Sequence, residues 1–397
     1  MKKIIYILFA ALLSASCSGE LDIPSEMSLS ANQELNSSDV DKLLNGLYAS
    51  TVNPSGYGYF NILFSDILGD DLKPVKFQWV QVQYAYEHKV PANDILNSYL
   101  YPYFYTGVSR ANLIIKAPSA SDAQKAQARY CRALAYMRLT DLYGAVPIID
   151  ETYAGGPIKR SSVAKVWSFV IEDLKYAKQY APAFSGDNTA PTSQAAQALL
   201  ASAYRASGNL AQAGIEAEDL IKQGKFSLSQ DPKGDRDREV IMNFATPAGA
   251  DYSNAEWGWI LSWEARTWNC FAMSDEVTSL ISANDKRRAF YEFDEAANRS
   301  GYIFTTKYNR EGASAELMVS RLAEMYLISA EAGNANRLTE FQAFRHSSLS
   351  LENERRVELA AEFVRWRELK MKGETYVLPF PQKSVDANPA LKEDIIQ

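Results

Sequence analysis

The 397-residue chain contains few of the residues from which metal and nucleophile sites are built. It has three cysteines (Cys17, Cys131 and Cys270) and two histidines, at spacings that match no zinc motif and no disulfide framework. GxSxG, P-loop, HExxH and dinucleotide-binding motifs are all missing. The 48 acidic residues do not exclude a catalytic carboxylate pair of the glycosidase type, but the sequence does not single out any two of them. We therefore expect a protein without catalytic residues, metal or cofactor.

The charge pattern excludes another large class of function. The net charge is −7 and the 41 basic residues are scattered, which is unlike the basic surface of a nucleic-acid binder. With 47% hydrophobic and 22% charged residues, the composition is that of a folded chain with a sizeable core. The aromatic content is high, with 23 Tyr, 17 Phe and 7 Trp, and surplus aromatic rings often build flat binding surfaces.

The N-terminal residues have the features of an export signal. Two lysines precede an apolar run at 4–13, which is too short to span a bilayer, and small residues then lead to Cys17. This order resembles the lipobox of bacterial lipoproteins, so we predict a lipoprotein signal peptide at 1–16, lipid attachment at Cys17 and a polar tether at 17–35. The alternative is ordinary cleavage near Ala15. No later segment is apolar enough to cross a membrane, so the lipid would be the sole membrane contact.

Regular helical periodicity begins after residue 121. Apolar positions repeat every three to four residues and predict helices near 122–143, 162–180, 192–207 and 210–223. The small residues of TSQAAQALLASAY and of the helix after it form matching faces, as in the helix pairs of tetratricopeptide (TPR) repeats. We place TPR-like helices mainly within 122–223 and 320–372. Two blocks without helical periodicity, 51–104 and 225–320, are predicted to be rich in loops.

RYCRALAYMRLTDLYGAVPII, which begins at Arg129, resembles the signature of the SusD/RagB family. Other segments follow in the family's order, including LDIPSE, YPYFYTGVSRANLIIKA, LAEMYLISAEA and LPFPQKSVDANPAL. One departure is that the family's Glu-Gly-x-Arg reads Glu362-Phe363-Val364-Arg365 here. The resemblance implies a mainly α fold, with a TPR-like helical-pair scaffold and a large irregular ligand-binding region, in a single domain at 36–397.

Members of this family are lipoproteins exposed on the outer membrane above a SusC-like TonB-dependent transporter. The resemblance implies that this chain binds a nutrient, most often a glycan, and delivers it to that partner without catalysis. Two alternatives stay open: a RagB-like peptide-binding component of a peptide uptake system, and a TPR-type scaffold that has no small ligand.

Two aromatic segments are the candidate ligand-binding sites. Trp257, Trp259 and Trp263 lie in WGWILSWEARTW, where alternate positions of a strand would share one face. Sugar rings pack their C–H faces on such side chains while polar neighbours bond the hydroxyl groups. The alternative is that these tryptophans are core residues of an irregular region.

The second aromatic segment, at 66–94, mixes flat rings with hydrogen-bonding groups on a predicted loop. Its candidates are Asp71, Trp79, Tyr84, Tyr86 and Asn93. The alternative is a solvated loop that covers the helices.

Two charged segments receive simpler interpretations. The acids of DPKGDRDRE, at 231–239, alternate with basic residues at a spacing unlike an EF-hand, so solvated charge is preferred over a calcium site. The acids and arginines of LENERRVELAAEFVRWRELKMKG are spaced for ion pairs on one continuous helix that ends at Gly373. The last residues, from 378, are predicted to form an extended tail.

Overall fold

The computed structural model describes residues 35–52, 64–76, 79–230, 236–244, 270–293, 301–307 and 317–396. The predicted signal peptide, Cys17 and the three candidate tryptophans Trp257, Trp259 and Trp263 lie outside the described residues. Among the helices within those ranges, none combines the length and apolar composition that spanning a membrane requires.

Helices dominate the described residues, and two short strand pairs accompany them. The α-helices are α1 Ser37–Val52, α2 Val80–Tyr86, α3 Ile95–Lys116, α4 Asp122–Tyr143, α5 Val163–Tyr180, α6 Ser193–Ala206, α7 Leu210–Lys222, α8 Arg236–Glu239, α9 Asp275–Thr278, α10 Leu322–Glu331, α11 Ala335–Arg345, α12 Leu351–Leu359, α13 Arg365–Met371 and α14 Gln382–Ala387. The strands are β1 Leu72–Lys76, β2 Val240–Phe244, β3 Cys270–Met273 and β4 Leu317–Arg321. Two 3₁₀ helices lie at Lys286–Phe290 and Pro389–Lys392.

The central helices form a stack in which each packs on the next. Contacts run from α3 through α4, α5, α6 and α7 to α10 and α11, which confirms the TPR-like scaffold. The four helices predicted from periodicity lie within a residue of their expected bounds. Small residues allow close approach in this stack, since a Cβ built on Gly214 of α7 would lie 2.3 Å from the Cβ of Ala332.

The signature helix α4 is the centre of the fold. It begins with a capping box between Ser121 and Gln124, and from Tyr130 to Tyr143 its side chains are buried. Cys131 lies in this buried run, and burial raises the pKa of its thiol, as expected for a structural cysteine. Gly144 ends the helix at φ +71°.

Charged residues of the signature also hold neighbouring segments. Arg132 donates to both carboxylate oxygens of Asp173 on α5, at 2.7 and 2.8 Å. Arg367 of α13 donates to Asp141 at 2.7 Å. Such bidentate, buried pairs fix geometry as well as charge, so α4 positions both the next helix and the C-terminal part of the chain.

The C-terminal helix predicted as continuous is two helices, α12 and α13. The chain turns between them because Ala361 and Phe363 both adopt φ +63°. The Phe363 N–H donates to the Asp66 carboxylate and its carbonyl accepts from Arg138. These bonds come from distant segments, so the helical periodicity of 351–373 could not reveal the break.

Two other predictions were wrong. Residues 95–104, expected in a loop-rich block, open α3, where Asp94 caps the first turn and the helix continues past Pro102. The expected extended tail contains α14 and a 3₁₀ helix. At α1 the Asn36 side chain caps the first turn by accepting from the N–H of Asp39.

Candidate ligand-binding site

Strands β1 and β3 form an antiparallel pair, called here the β1–β3 ribbon, to which both aromatic segments are attached. Leu72 pairs with Met273, and Lys76 pairs with Cys270. The chain leads from Lys76 to Trp79 within three residues, and Cys270 follows the tryptophan-rich segment. Lys76 and Cys270, to which the two candidate segments connect along the chain, therefore lie opposite each other at one end of the ribbon, although they are 194 positions apart in sequence.

The structure places the candidates of the second segment in different environments. Trp79 precedes α2 with 37% of its surface exposed, and Tyr86 ends that helix with 38% exposed. Tyr84 is half-buried and packs against the core, whereas Asn93 is exposed. The roles of Trp79, Tyr84, Tyr86 and Asn93 in binding stay predictions.

Asp71, also predicted to contact ligand, is buried under the ribbon. Its carboxylate accepts from Arg356 at 2.9 Å, and its carbonyl accepts from the N–H of Ser274, which follows β3. Burial raises the pKa of Asp71 to about 6, against the opposing charges of Arg365 and Arg356. With 1% of its surface exposed, Asp71 supports the ribbon, and we assign it a structural position.

Asp70, the neighbour of Asp71, is half-exposed and forms a forked pair with Arg365. Burial raises its pKa, but the hydrogen bond and charge of Arg365, helped by Arg356, outweigh that effect and lower it. Two adjacent carboxylates therefore have opposite pKa shifts. Both connect the segment before β1 to α12 and α13.

The outer side of the ribbon carries polar and aromatic groups that sequence reasoning missed. The Lys73 ammonium donates to Asp275 at 2.7 Å and lies 5.6 Å from the centroid of the Tyr302 ring. Asp275 is largely exposed, with 82% of its side-chain surface accessible. An exposed carboxylate beside a half-buried ring could bond a polyhydroxyl ligand. Sequence analysis did not identify Lys73, Asp275 and Tyr302, because they are isolated residues in blocks without a regular pattern.

A buried ionic cluster lies where β2, β4 and α12 meet. It consists of Glu239, Asp285, Arg287, Lys307, Arg321, Arg345, Glu354, Glu358 and Glu362. Arg321 pairs with Glu239 at 2.5 Å and with Glu362 at 2.7 Å, and Arg345 pairs with Glu358 at 2.7 Å. Charges buried this deeply are tolerated because nearly all of them are paired.

For Glu239, the ionic cluster corrects the interpretation of the acids at 231–239 as solvated charge. Glu239 has no exposed surface and accepts the Ser229 N–H as well as its pair with Arg321. Its arginine partners, Arg321 and Arg345, are 82 or more residues away, so local spacing could not identify them. The cluster fixes β2, whose last residue Phe244 leads into the tryptophan-rich segment that returns at Cys270.

Electrostatics in the cluster follow from burial and pairing. Burial alone would raise the pKa of Glu358, but Arg345, Arg321 and Arg287 lower it to about 2. Burial lowers the pKa of Lys307, which donates to the Glu362 carboxylate, to the carbonyl of Glu358 in α12 and to the carbonyl of Ala360 in the turn. In the part of the chain that the structure describes, no group of three or more His, Cys, Asp and Glu side chains gathers where a metal ion would fit.

The described residues form a helical-repeat scaffold with accessible aromatic side chains beside the β1–β3 ribbon. The sequence profile described as "Starch-binding associating with outer membrane", of the SusD-like type, matches residues 21–204. SusD-like protein P2 of Formosa agariphila is 25% identical, over 84% of this chain and 83% of the relative. The chain is therefore similar to SusD-like proteins, and these matches support its resemblance to the SusD/RagB family.

Solved structures share this fold over most of its length. A putative sugar binding protein from Bacteroides vulgatus has a TM-score of 0.78 at 21% identity, covering 91% of this chain and 98% of that one. A SusD superfamily protein from Bacteroides thetaiotaomicron has a TM-score of 0.77 at 21% identity, covering 90% and 99%. A laminarin binding SusD-like protein has a TM-score of 0.74 at 18% identity, covering 89% and 98%. At these identities the likeness establishes the fold.

Proposed function

We propose that this protein captures an oligosaccharide at the cell surface and passes it to a TonB-dependent outer-membrane transporter. The observation that carries the proposal is the pairing of Lys76 with Cys270, which attaches two separated aromatic segments to one end of the β1–β3 ribbon. Several rings on one face would bind successive sugar units. The starch-binding family description and the laminarin-binding neighbour support the ligand class.

The rest of the proposal concerns placement and chemistry. Residues 1–16 are the signal peptide, Cys17 carries the lipid, 17–35 form the tether and 36–397 form the binding domain. The protein binds its glycan without cleaving it, so chromatography should recover an incubated oligosaccharide intact. A Cys17→Ser chain should lose lipid labelling. Labelling that persists in this variant would place the lipid elsewhere.

Isothermal titration of the chain from Ser18 onward tests the ligand and its location together. The panel holds neutral glucan oligosaccharides of the α-1,4 and β-1,3 series, and peptides of similar length. Trp79, Trp257, Trp259 and Trp263 are each changed to Ala. We expect glycan binding that weakens at least tenfold, about 1.4 kcal/mol, in one or more of these variants.

Tyr180→Ala is the matched control, since Tyr180 is an equally exposed aromatic (40%) at the end of α5. This variant should bind as the parent chain does. Binding to peptides alone would replace the glycan proposal with the peptide-uptake alternative. Glycan binding unchanged in all four tryptophan variants would move the site away from the β1–β3 ribbon.

A further inference from the structure

A groove with tyrosine walls lies on the scaffold, separate from the β1–β3 ribbon. Three segments line it: the middle of α3, the chain at 147–158, and α14 with the 3₁₀ helix after it. Its volume is about 490 Å³, within the range of small-molecule sites. We call it the tyrosine groove after three of its lining residues, Tyr101, Tyr105 and Tyr153.

The walls of the tyrosine groove are fixed by bonds between its three segments. The Tyr105 hydroxyl donates to the Pro147 carbonyl at 2.8 Å. The Asn388 side chain forms two hydrogen bonds with the backbone of Ile158. Its amide nitrogen donates to the Ile158 carbonyl at 2.8 Å, and its amide oxygen accepts from the Ile158 N–H at 3.2 Å. The Tyr101 ring packs edge-on against Tyr143 at a centroid distance of 4.9 Å. A groove built in this way is preorganised, which lowers the entropic cost of binding.

The chemistry of the tyrosine groove selects a neutral, hydroxyl-bearing ligand. None of the residues that line it is charged, and the hydroxyl groups of Thr106, Ser109 and Ser384 stand among the rings. Two other surface cavities in the described part of the chain are lined by charged residues. One, between α7 and α10, holds Glu218, Asp219 and Lys222, and one near α12 holds several arginines and acids.

The exposed face of α3 extends this surface. Tyr99 is 59% exposed and lies one helical turn before Pro102, which lines the groove. Tyr153, on the opposite wall, is 40% exposed. Aromatic side chains accessible beside hydroxyl groups are what a pyranose ring needs for stacking and hydrogen bonding.

We propose that the tyrosine groove is a second saccharide-binding site, which takes a neutral sugar unit independently of the β1–β3 ribbon. The ligand class rests on the proposed function, whereas the location rests on the groove itself. Two sites on one chain raise the affinity for a glycan long enough to reach both, or hold two short ones. The groove therefore increases retention of long polymers at the surface.

The test titrates glucan oligosaccharides into two groove variants. Tyr153→Ala removes an exposed ring, and Ser109→Trp fills the groove from an exposed position on α3 while the three tyrosines stay in place. Tyr180→Ala is again the control, and thermal unfolding verifies that each variant folds. We expect both groove variants to lose one binding event, or to bind the longest oligosaccharide at least fivefold more weakly.

A variant with Trp79, Trp257, Trp259 and Trp263 all changed to Ala separates the two sites. Residual glycan binding in this variant that Ser109→Trp then abolishes would support the tyrosine groove directly. Parent-like stoichiometry and affinity in both groove variants would overturn the inference and leave the proposed function intact. A groove that binds only peptides would also overturn it. If the parent chain bound no glucan, the proposed function and the inference would both fail.

Discussion

At the residue scale, Arg321 is a central member of the buried ionic cluster. It has 1% of its surface exposed and pairs with Glu239, beside β2, and with Glu358 and Glu362 from the C-terminal part of the chain. Removing one partner from a buried cluster leaves the others charged and without compensation. The stability of the β2–β4 pair and of α12 therefore depends on this guanidinium.

We predict that Arg321→Met lowers the free energy of unfolding by about 3–5 kcal/mol. Urea denaturation monitored by circular dichroism measures the change. Lys372→Met is the control, because the Lys372–Glu352 pair is exposed (41% and 66%) and should contribute less than about 1 kcal/mol. Equal effects of the two substitutions would contradict a structural role for the cluster.

Asp66 is a second residue whose environment has a measurable consequence. It is fully buried, and one of its carboxylate oxygens has no hydrogen-bond partner. Burial raises its pKa to about 7, and the charge of Asp71 adds to the shift while the Phe363 N–H, Arg138 and Lys307 oppose it. The unfolded value is about 3.9. Between about pH 4 and pH 7 the folded state therefore holds a proton that the unfolded chain has released, so this group lowers stability as pH rises.

Asp66→Asn should remove that pH dependence. Relative to the parent chain, we expect the variant to gain about 2–3 kcal/mol of stability between pH 5 and pH 8. Denaturation with guanidinium chloride at four pH values would measure the difference in the free energy of unfolding between parent and variant. Parallel stability curves for parent and variant would show that Asp66 is ionised in the folded protein throughout this range.

At the element scale, the packing of α7 on α10 depends on the absence of a side chain. Gly214→Ala would place a Cβ 2.3 Å from that of Ala332, so we predict a loss of about 1–3 kcal/mol through overpacking. Gly46→Ala is the matched control, because Gly46 is also helical but a Cβ there meets nothing within 4 Å. That substitution should stabilise α1 by about 0.5–1 kcal/mol. Thermal unfolding measures whether each substitution raises or lowers stability. Higher stability in both variants would contradict the close approach of α7 to Ala332.

Elements held by local periodicity could be predicted from sequence, and elements held by distant bonds could not. Helices α4 to α7 have regular apolar or small-residue faces, and their bounds were predicted to within a residue. The turn between α12 and α13 instead depends on Asp66 and Arg138, both more than 200 positions away. The glycine that the family signature leads one to expect at Phe363 suits its φ of +63°.

The candidate site also combines residues that local sequence reveals with an arrangement that depends on distant contacts. Aromatic residues such as Trp79 and Tyr86 were recognisable from composition and proved accessible. Their attachment to the same end of a ribbon as the tryptophan-rich segment depends on strand pairing across nearly 200 residues, which no local pattern encodes. Asp71 has the polar character of a ligand contact, but its burial is set by Arg356 and Arg365 from the C-terminal part.

At the scale of the whole molecule, rigid helical packing supports a β1–β3 ribbon that carries the candidate ligand residues. The helix stack fixes α4, the C-terminal helices anchor on α4 through Arg367, and the segment before β1 anchors on α12 and α13. Binding residues on segments held by a rigid scaffold are a common arrangement. Under the proposed function, the scaffold can therefore stay constant while the attached segments set which glycan is bound.

A crystal structure of the chain from Ser18 onward, grown with a glucan oligosaccharide that titration has shown to bind, tests the central claim most directly. We predict sugar rings within about 4 Å of Trp79 and of at least one of Trp257, Trp259 and Trp263. Sugar bound in the tyrosine groove as well would agree with the second site. Sugar found only away from the β1–β3 ribbon would contradict the account.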